Sequence, residues 1–377
     1  MKKDLKDNKL VNPEQANLNR SERKMNLSRN QQKIVDAKEP HIVVCASAAS
    51  GKSAVLVERI QRLINEGVDP KRIVALTFTN AAAENIYDRL TNAQGIFIGT
   101  IHSYVNFLLM CGGISTSDIL ENEEFDKLFQ RISDHRECIQ EVDYLLLDEA
   151  QDSTEEQFKV LLEYVNPKNW FLVGDWRQSI YGFLDARPDI LIDLSKRDDV
   201  KLYELDENYR NGRKILDYAK GIIRLAGLGY RDESIPMRET DGRVIEREYN
   251  PERIAETIKS YGNYGEWFVL SRTNDEIDVM ARALSKYGVP YDTFKRSQLN
   301  TKELNQKLKE PTVKVLTIHA AKGLEANKVV VIGARFYNLE EKCVSYVAAT
   351  RARDLLVWTR VPPKRNSFRG TKVKDWE

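Results

Sequence analysis

Residues 46–53 read Ala-Ser-Ala-Ala-Ser-Gly-Lys-Ser, and the closing Gly51-Lys52-Ser53 sets a physical demand on everything around it. A triphosphate is held by converging backbone N–H groups, a cation at its outer phosphates and a hydroxyl on Mg²⁺. Ala46, Ser47, Ala48, Ala49, Ser50 and Gly51 are small enough to let the backbone approach. Lys52 supplies the cation and Ser53 the hydroxyl. The flanks fit this reading. His41-Ile42-Val43-Val44-Cys45 reads as a buried strand, and Leu56, Val57, Ile60, Leu63 and Ile64 recur at helical spacing until Gly67. The loop carries Ala or Ser where the general pattern prefers Gly, and the competing explanation is a chance Gly-Lys-Ser in a turn.

The chain has 377 residues, enough for two domains with sizeable cores. Its 58 Lys and Arg against 57 Asp and Glu leave +1, so any nucleic-acid binding must come from a local groove. Cys45, Cys111, Cys138 and Cys343 are scattered without a Cys-x-x-Cys pair, and His135 with Cys138 has no second pair to complete a metal site. A reducing, cytoplasmic setting is the expectation. Apolar runs are only strand-length, which predicts no membrane span, and the N-terminal lysines precede no apolar core, which predicts no secretory leader.

Short apolar strands alternate with helical stretches along most of the chain, which argues for parallel sheets wrapped by helices. In such sheets ligands lie beyond the carboxyl ends of the strands. The polar clusters fall at those ends: residues 47–53, Thr79-Asn80, 100–103, 148–152 and 174–181. A second alternating series begins near Val200. Its strand over residues 201–205 ends at Asn208-Tyr209-Arg210, and later ones end at Ser271 and His319. No second phosphate loop occurs there. Residues 1–24 are polar and read as a tail, with room for a short helix from Pro13, and the basic end from Pro362 reads as loose.

Asp148-Glu149 follows four apolar residues downstream of the phosphate loop. Asp148 can hold Mg²⁺ through water while Glu149 orients and deprotonates an attacking water. Phosphoryl transfer also needs positive charge at the γ-phosphate. Arg210 and Arg351 sit in polar clusters of the second half, although either alone could be a surface ion pair. Gln178, past the strand ending at Val173, can sense the γ-phosphate. The Gln31 amide both donates and accepts, which suits an adenine edge.

Taken in order, these segments resemble the UvrD/Rep-like superfamily 1 helicases from about Leu27 to Arg353. Gln31 matches the family's adenine-reading glutamine, and residues 46–53 its phosphate loop, with Ala49 in place of a Gly. Leu76-Thr77-Phe78-Thr79-Asn80-Ala81-Ala82-Ala83 and Gly99-Thr100-Ile101-His102-Ser103 match the next two motifs. Asp148-Glu149-Ala150-Gln151-Asp152 is the family's acidic motif. Val173-Gly174-Asp175-Trp176-Arg177-Gln178-Ser179-Ile180-Tyr181-Gly182-Phe183 and Leu205-Asp206-Glu207-Asn208-Tyr209-Arg210 follow. Thr317-Ile318-His319-Ala320-Ala321-Lys322-Gly323-Leu324-Glu325 and Tyr346-Val347-Ala348-Ala349-Thr350-Arg351-Ala352 complete the set.

The resemblance implies an α/β fold of two RecA-like parallel-sheet domains in tandem, at residues 26–199 and 200–361, between tails 1–25 and 362–377. Lys52, Ser53, Asp148, Glu149, Gln178, Arg210, Glu325 and Arg351 would surround Mg·ATP in the cleft, with Tyr209 stacked on adenine. Phe78, Thr79, Asn80, His102, Tyr181, Phe183, Thr317 and His319 would line a path for single-stranded DNA, where aromatic rings stack on bases of any sequence. The competing account of Phe78, Tyr181 and Phe183 is ordinary core. The implied activity is ATP-driven 3′-to-5′ movement on single-stranded DNA with strand separation. RNA fits the same chemistry. A rival reading is an ATP-switched binding module acting on a partner protein without productive unwinding.

Some residues depart from the family. Trp176-Arg177 replaces a pair usually acidic, Leu184-Asp185-Ala186 replaces Arg-Gly-Ala, and Ala326 replaces an aromatic. These fall on the DNA-facing or coupling side. The first accessory insertion is reduced to about residues 104–141 and the second has no counterpart, which predicts a bare motor core that takes its duplex grip from a protein partner.

Overall fold

A computed structural model describes residues 26–294 and 306–360, so the expected tails lie outside the described residues. The first sheet is built from β1 (His41–Ala46), β2 (Ile73–Thr77), β3 (Phe97–Thr100), β4 (Tyr144–Leu147), β5 (Asn169–Gly174) and β6 (Lys201–Leu205). Their order is β3-β2-β4-β5-β1-β6, and every neighbouring pair is parallel. Strand alternation distributes the side chains to two cores. Val43, Leu76, Leu145, Leu147 and Leu172 enter one. Ile42, Val44, Ala75, Leu146 and Val173 enter the other. Burial on both faces is why these strands read as continuous apolar runs.

After β6 a two-residue strand, β7 (Glu207–Asn208), pairs with β8 (Ile235–Pro236). The second sheet comprises β9 (Arg243–Glu248), β10 (Trp267–Ser271), β11 (Tyr291–Phe294), β12 (Val313–Thr317), β13 (Ala326–Val331) and β14 (Ala352–Arg360). Its order is β11-β12-β10-β13-β14-β9, again wholly parallel. Phe268, Leu270, Leu316, Val329 and Leu356 face one core, while Trp267, Val269, Val315, Val330 and Val357 face the other. Two parallel sheets of this form are the RecA-like tandem that the sequence implies. Ala48, Ile180 and Tyr181 of the first half pack into a core of the second, so apolar contact as well as charge joins the halves.

One structural device recurs where strands become helices. Thr79, just past β2, caps the helix Asn80–Arg89 by accepting from Ala82 N–H. Thr100, the last residue of β3, caps Ile101–Cys111 in a capping box with Ser103. Thr273, just past β10, does the same with Glu276 for Asn274–Lys286. A hydroxyl that satisfies an orphan N–H ends the strand and starts the helix within a few residues. That places each connection at the carboxyl edge of its sheet.

The boundary expected at 199/200 needs correction. Lys201–Leu205 belongs to the first sheet, where it pairs with Ile42–Ala46 and covers the outer edge of β1. Its side chains are exposed apart from Leu205 and the half-buried Tyr203, so nothing local distinguishes it from a strand opening a new domain. The reduced insertion is not a separate domain. Helices Ser117–Glu121 and Lys127–Asp134 bury Ile119, Leu128, Phe129 and Ile132 against Tyr104, Val105 and Leu108, capping the first core.

Candidate active site

Gly51 begins the phosphate-loop helix, Lys52–Asn65, with φ +83°, and a Cβ there would sit 2.6 Å from Gln31 Nε2. Only glycine fits both conditions. The Gln31 amide accepts from Ser28 N–H at 2.9 Å and donates to Ser50 O at 2.9 Å, so it braces the loop from behind. Asn208 Nδ2 donates to Ala48 O (2.9 Å) and Tyr209 N–H to Ala49 O (3.2 Å). Three loop carbonyls are thus held by residues outside the loop, leaving its N–H side for a ligand. Ser50 Oγ is buried in the loop without a hydrogen-bond partner.

Lys52 Nζ lies 3.1 Å from Glu149 Oε1, and Ser53 Oγ donates to Asp148 Oδ2 at 3.3 Å. Asp148 Oδ1 accepts from Glu149 N–H (2.9 Å), and Gln151 Nε2 donates to Glu149 Oε2 (2.5 Å). Burial would raise both acids. For Asp148 it prevails, helped by the Glu149 charge, and the carboxyl is pushed up to about 6. For Glu149, Lys52 and then Lys322 outweigh burial and hold it at about 2. Burial thus dominates at Asp148 and the two lysines at Glu149, so of the two adjacent carboxylates Glu149 is the one held ionised. Among the described residues no three ligands form a metal cage. A phosphate-bound Mg²⁺ needs only one or two protein groups, and Ser53 with Asp148 meets that need.

The second half reaches into this centre. Arg351, buried, donates from Nη2 to Gln178 Oε1 at 3.2 Å, and Gln178 Nε2 donates to Asp175 Oδ2 at 2.7 Å. Burial, and then the neighbouring Arg210, pull the Arg351 guanidinium down to about 9. Such a cation gains from an incoming anion. Arg210 Nε meets Glu325 Oε2 at 2.5 Å, and Arg353 holds the other oxygen of Glu325. The Tyr209 ring is 41% exposed beside the loop, its hydroxyl on Glu207.

Sequence reasoning assigned no role to Lys322. Its ammonium pairs with Asp152, donates to Gln178 O (3.0 Å) and sits 3.8 Å from Glu149 Oε2. Its position just beyond the end of β12, like the other clusters at strand ends, was the available signal. Gln151 was also missed. Its Oε1 accepts from Asp175 N–H at 2.9 Å, tying β5 to the acidic turn.

Of the residues expected along a single-strand path, four come together. Phe78 stacks on Tyr181 (4.9 Å between centroids), and Phe183 and His319 lie at 6.0 and 6.1 Å from it. His319 comes from the second half, its Nε2 3.1 Å from Ile180 O. Tyr181 is buried while Phe183 is 56% exposed. Asn80 is exposed at the start of its helix, and the hydroxyls of Thr79 and Thr317 cap local N–H groups. His102 stands apart from this cluster. It packs edge-on against Phe125 and Phe129 of the reduced insertion, and burial holds its imidazole below the usual range.

Tandem RecA-like sheets with a phosphate loop and paired acids facing arginines from the second sheet define the P-loop nucleotide-binding proteins of two-domain type. Sequence comparison narrows this further. The UvrD/REP helicase N-terminal domain matches residues 27–135 and 116–199, and the UvrD-like helicase C-terminal domain matches 292–361. The chain belongs to the UvrD-like helicase family. It is 26% identical to a probable DNA helicase of Mycoplasma pneumoniae over 83% of this chain and 79% of that protein. It is 26% identical to the ATP-dependent DNA helicase PcrA of Staphylococcus epidermidis over 71% of this chain and 50% of that protein. It is 25% identical to Rep of Escherichia coli over 71% and 55%. The chain thus spans about half the length of several curated relatives.

Proposed function

We propose that the protein is an ATP-driven translocase on single-stranded DNA, moving 3′-to-5′ and separating strands where duplex lies ahead. The observation that carries this reading is the Arg351–Gln178 contact. It sets a cation of the second half on Gln178 of the first, within reach of the Glu149 charge, so the hydrolytic centre is complete only when the halves meet. Lys52, now on Glu149, turns to the outer phosphates when nucleotide enters. Glu149, released from Lys52, accepts the proton of the attacking water. Arg351 and Arg210 answer the charge that develops during transfer, and Gln178 reports the γ-phosphate to both halves. Mg²⁺ held by Ser53 and Asp148 would neutralise phosphate charge. Phe78, Tyr181, Phe183 and His319 bridge the halves, so closing the cleft shifts the surface that grips bases. Four free cysteines suit a reducing compartment, and among the described residues no helix is long and apolar enough to cross a membrane.

ATPase assays without polymer and with single-stranded DNA, duplex DNA and RNA test the substrate. Displacement assays on 3′-tailed, 5′-tailed and blunt duplexes test direction. Strong single-strand stimulation with opening of 3′-tailed substrate only is the expected result. Stimulation without any displacement would favour the ATP-switched module.

A further inference from the structure

We propose that Arg177, with Asp232 and Tyr346, is a positioning cluster that couples the phosphate loop to the helix that leads into Arg351. The proposal rests on the reading of the cleft as a hydrolytic centre. Trp176-Arg177 stands out in the sequence because an acidic pair is usual there, and the structure shows where the cation goes. Arg177 is buried, and all three of its nitrogens are used. Nε binds Asp175 Oδ1 at 2.6 Å. Nη1 donates to Arg231 O (2.9 Å) and Asp232 Oδ1 (3.4 Å), and Nη2 to Ser47 Oγ (3.2 Å) and Cys45 Sγ (3.6 Å).

Asp232 is the second node. Its Oδ1 also accepts from Ser47 Oγ at 3.3 Å and from Ser234 N–H at 3.0 Å, and its Oδ2 accepts from Tyr346 OH at 2.8 Å. Tyr346, fully buried, lies on the helix Leu339–Ala349, which runs directly into Thr350 and Arg351. Arg351 Nε bonds back to Val347 O on that helix (3.0 Å). Asp175 closes the circuit. One of its oxygens takes Arg177, the other takes Gln178, and Gln178 meets Arg351. Ser47 and Arg351 are therefore joined by two routes, one through Asp232 and Tyr346 and one through Asp175 and Gln178.

A purely structural role predicts a different response to substitution. Replacing a buried ion pair by packed neutral residues is often neutral for stability. A positioning role predicts that the same replacement leaves the fold but misplaces Arg351, and small misplacements of a transition-state group act on kcat. Two variants probe this. Tyr346→Phe removes one hydrogen bond and keeps the ring. Arg177→Met with Asp232→Asn removes one charge of each sign and keeps the volume.

Tyr346→Phe is expected to melt near the unmodified protein. The double variant leaves the Asp175 carboxylate without its cation and is expected to melt lower. In both, KM for ATP stays within about threefold while single-strand-stimulated kcat falls about tenfold. Folded variants with unmodified kcat, or with a raised KM alone, would overturn the proposal. Amide hydrogen exchange over residues 339–349 with and without Mg·ADP supplies a readout that needs neither turnover nor a variant. Nucleotide is expected to protect this helix in the unmodified protein, and Tyr346→Phe to lose that protection. No protection in the unmodified protein overturns the coupling. Protection without any DNA-stimulated turnover instead sinks the translocase reading and leaves the cluster standing.

Discussion

On the phosphate-loop side of the cleft, Lys52, Glu149, Gln178, Arg210 and Arg351 each hold a specific partner, and Arg351 and Gln178 are buried. On the aromatic side, Tyr181 is buried but Phe183 stands half in solvent, and ring-to-ring contacts link Tyr181, Phe183 and His319. The first arrangement fixes geometry before a ligand arrives, as charge stabilisation in a transition state demands. On the proposed reading, the second would offer faces that stack on any base and let go again, as movement along a strand demands. One cleft thus combines a rigid chemical side with a yielding mechanical side.

The sharpest way to break this comparison is to attack the rigid side at its centre. Glu149→Gln should retain ATP binding but lower kcat by about 1,000-fold, and Lys52→Ala should abolish turnover, since no neighbour replaces either group. Steady-state ATPase with a parallel nucleotide-binding titration checks both, and near-normal turnover in Glu149→Gln would remove it as the base. Next in size, Arg351→Ala and Arg210→Ala should each cut kcat about 100-fold with little change in ATP affinity, because the charge they answer develops during transfer. Loss of affinity alone would assign them to ground-state binding.

The yielding side should respond more mildly. Phe183→Ala should weaken single-strand binding about tenfold, from the loss of one stacked base. The salt dependence should keep its slope, because no phosphate contact is lost. Fluorescence anisotropy at several salt concentrations measures both, and a changed slope would contradict the stacking role.

The last effect is on stability. Burial raises Asp148 and Asp152 to about 6, so the folded state binds their protons more tightly than the unfolded chain. The stability this contributes is present below about pH 3.8 and lost as pH rises through 6. Glu149, held at about 2, works oppositely, contributing above about pH 4.5 and losing its contribution below. Two raised aspartates outweigh one lowered glutamate, so the nucleotide-free protein should gain about 2–4 kcal/mol between pH 7 and 4 and keep most of it at lower pH. Thermal melts across that range test this, and a monotonic fall from pH 7 would refute it.

The rigid side was far more legible in the sequence than its wiring. The phosphate loop and the acidic turn each follow an apolar strand at once, so local patterning finds them, whereas Arg351 follows a helix and Arg210 an exposed strand, and only the order of the motifs points to them. The membership of β6 was not legible, because pairing between Lys201–Leu205 and Ile42–Ala46 joins segments far apart in the chain and leaves no mark on either. The same holds for β9, a charged strand completing the edge of the second sheet beside β14. His102 lies in a recognisable motif, yet Phe125 and Phe129 decide its surroundings from the reduced insertion, whose packing the motif does not foretell. Arg177 looked like an anomaly until Asp232 and Ser47 supplied its company.

Ala49 takes φ +58°, a left-handed conformation that costs an L-residue roughly 1–2 kcal/mol and glycine nothing. With a methyl group in that position, the loop cannot roam through the wider range a glycine would allow, and Tyr209 N–H clasps its carbonyl from outside. A mould of this kind is finished before its occupant arrives and does not reshape as it leaves. On the proposed reading, dwell time of a nucleotide would then be governed by the parting of the two sheets, which would put the clock of the cycle in exit rather than in capture.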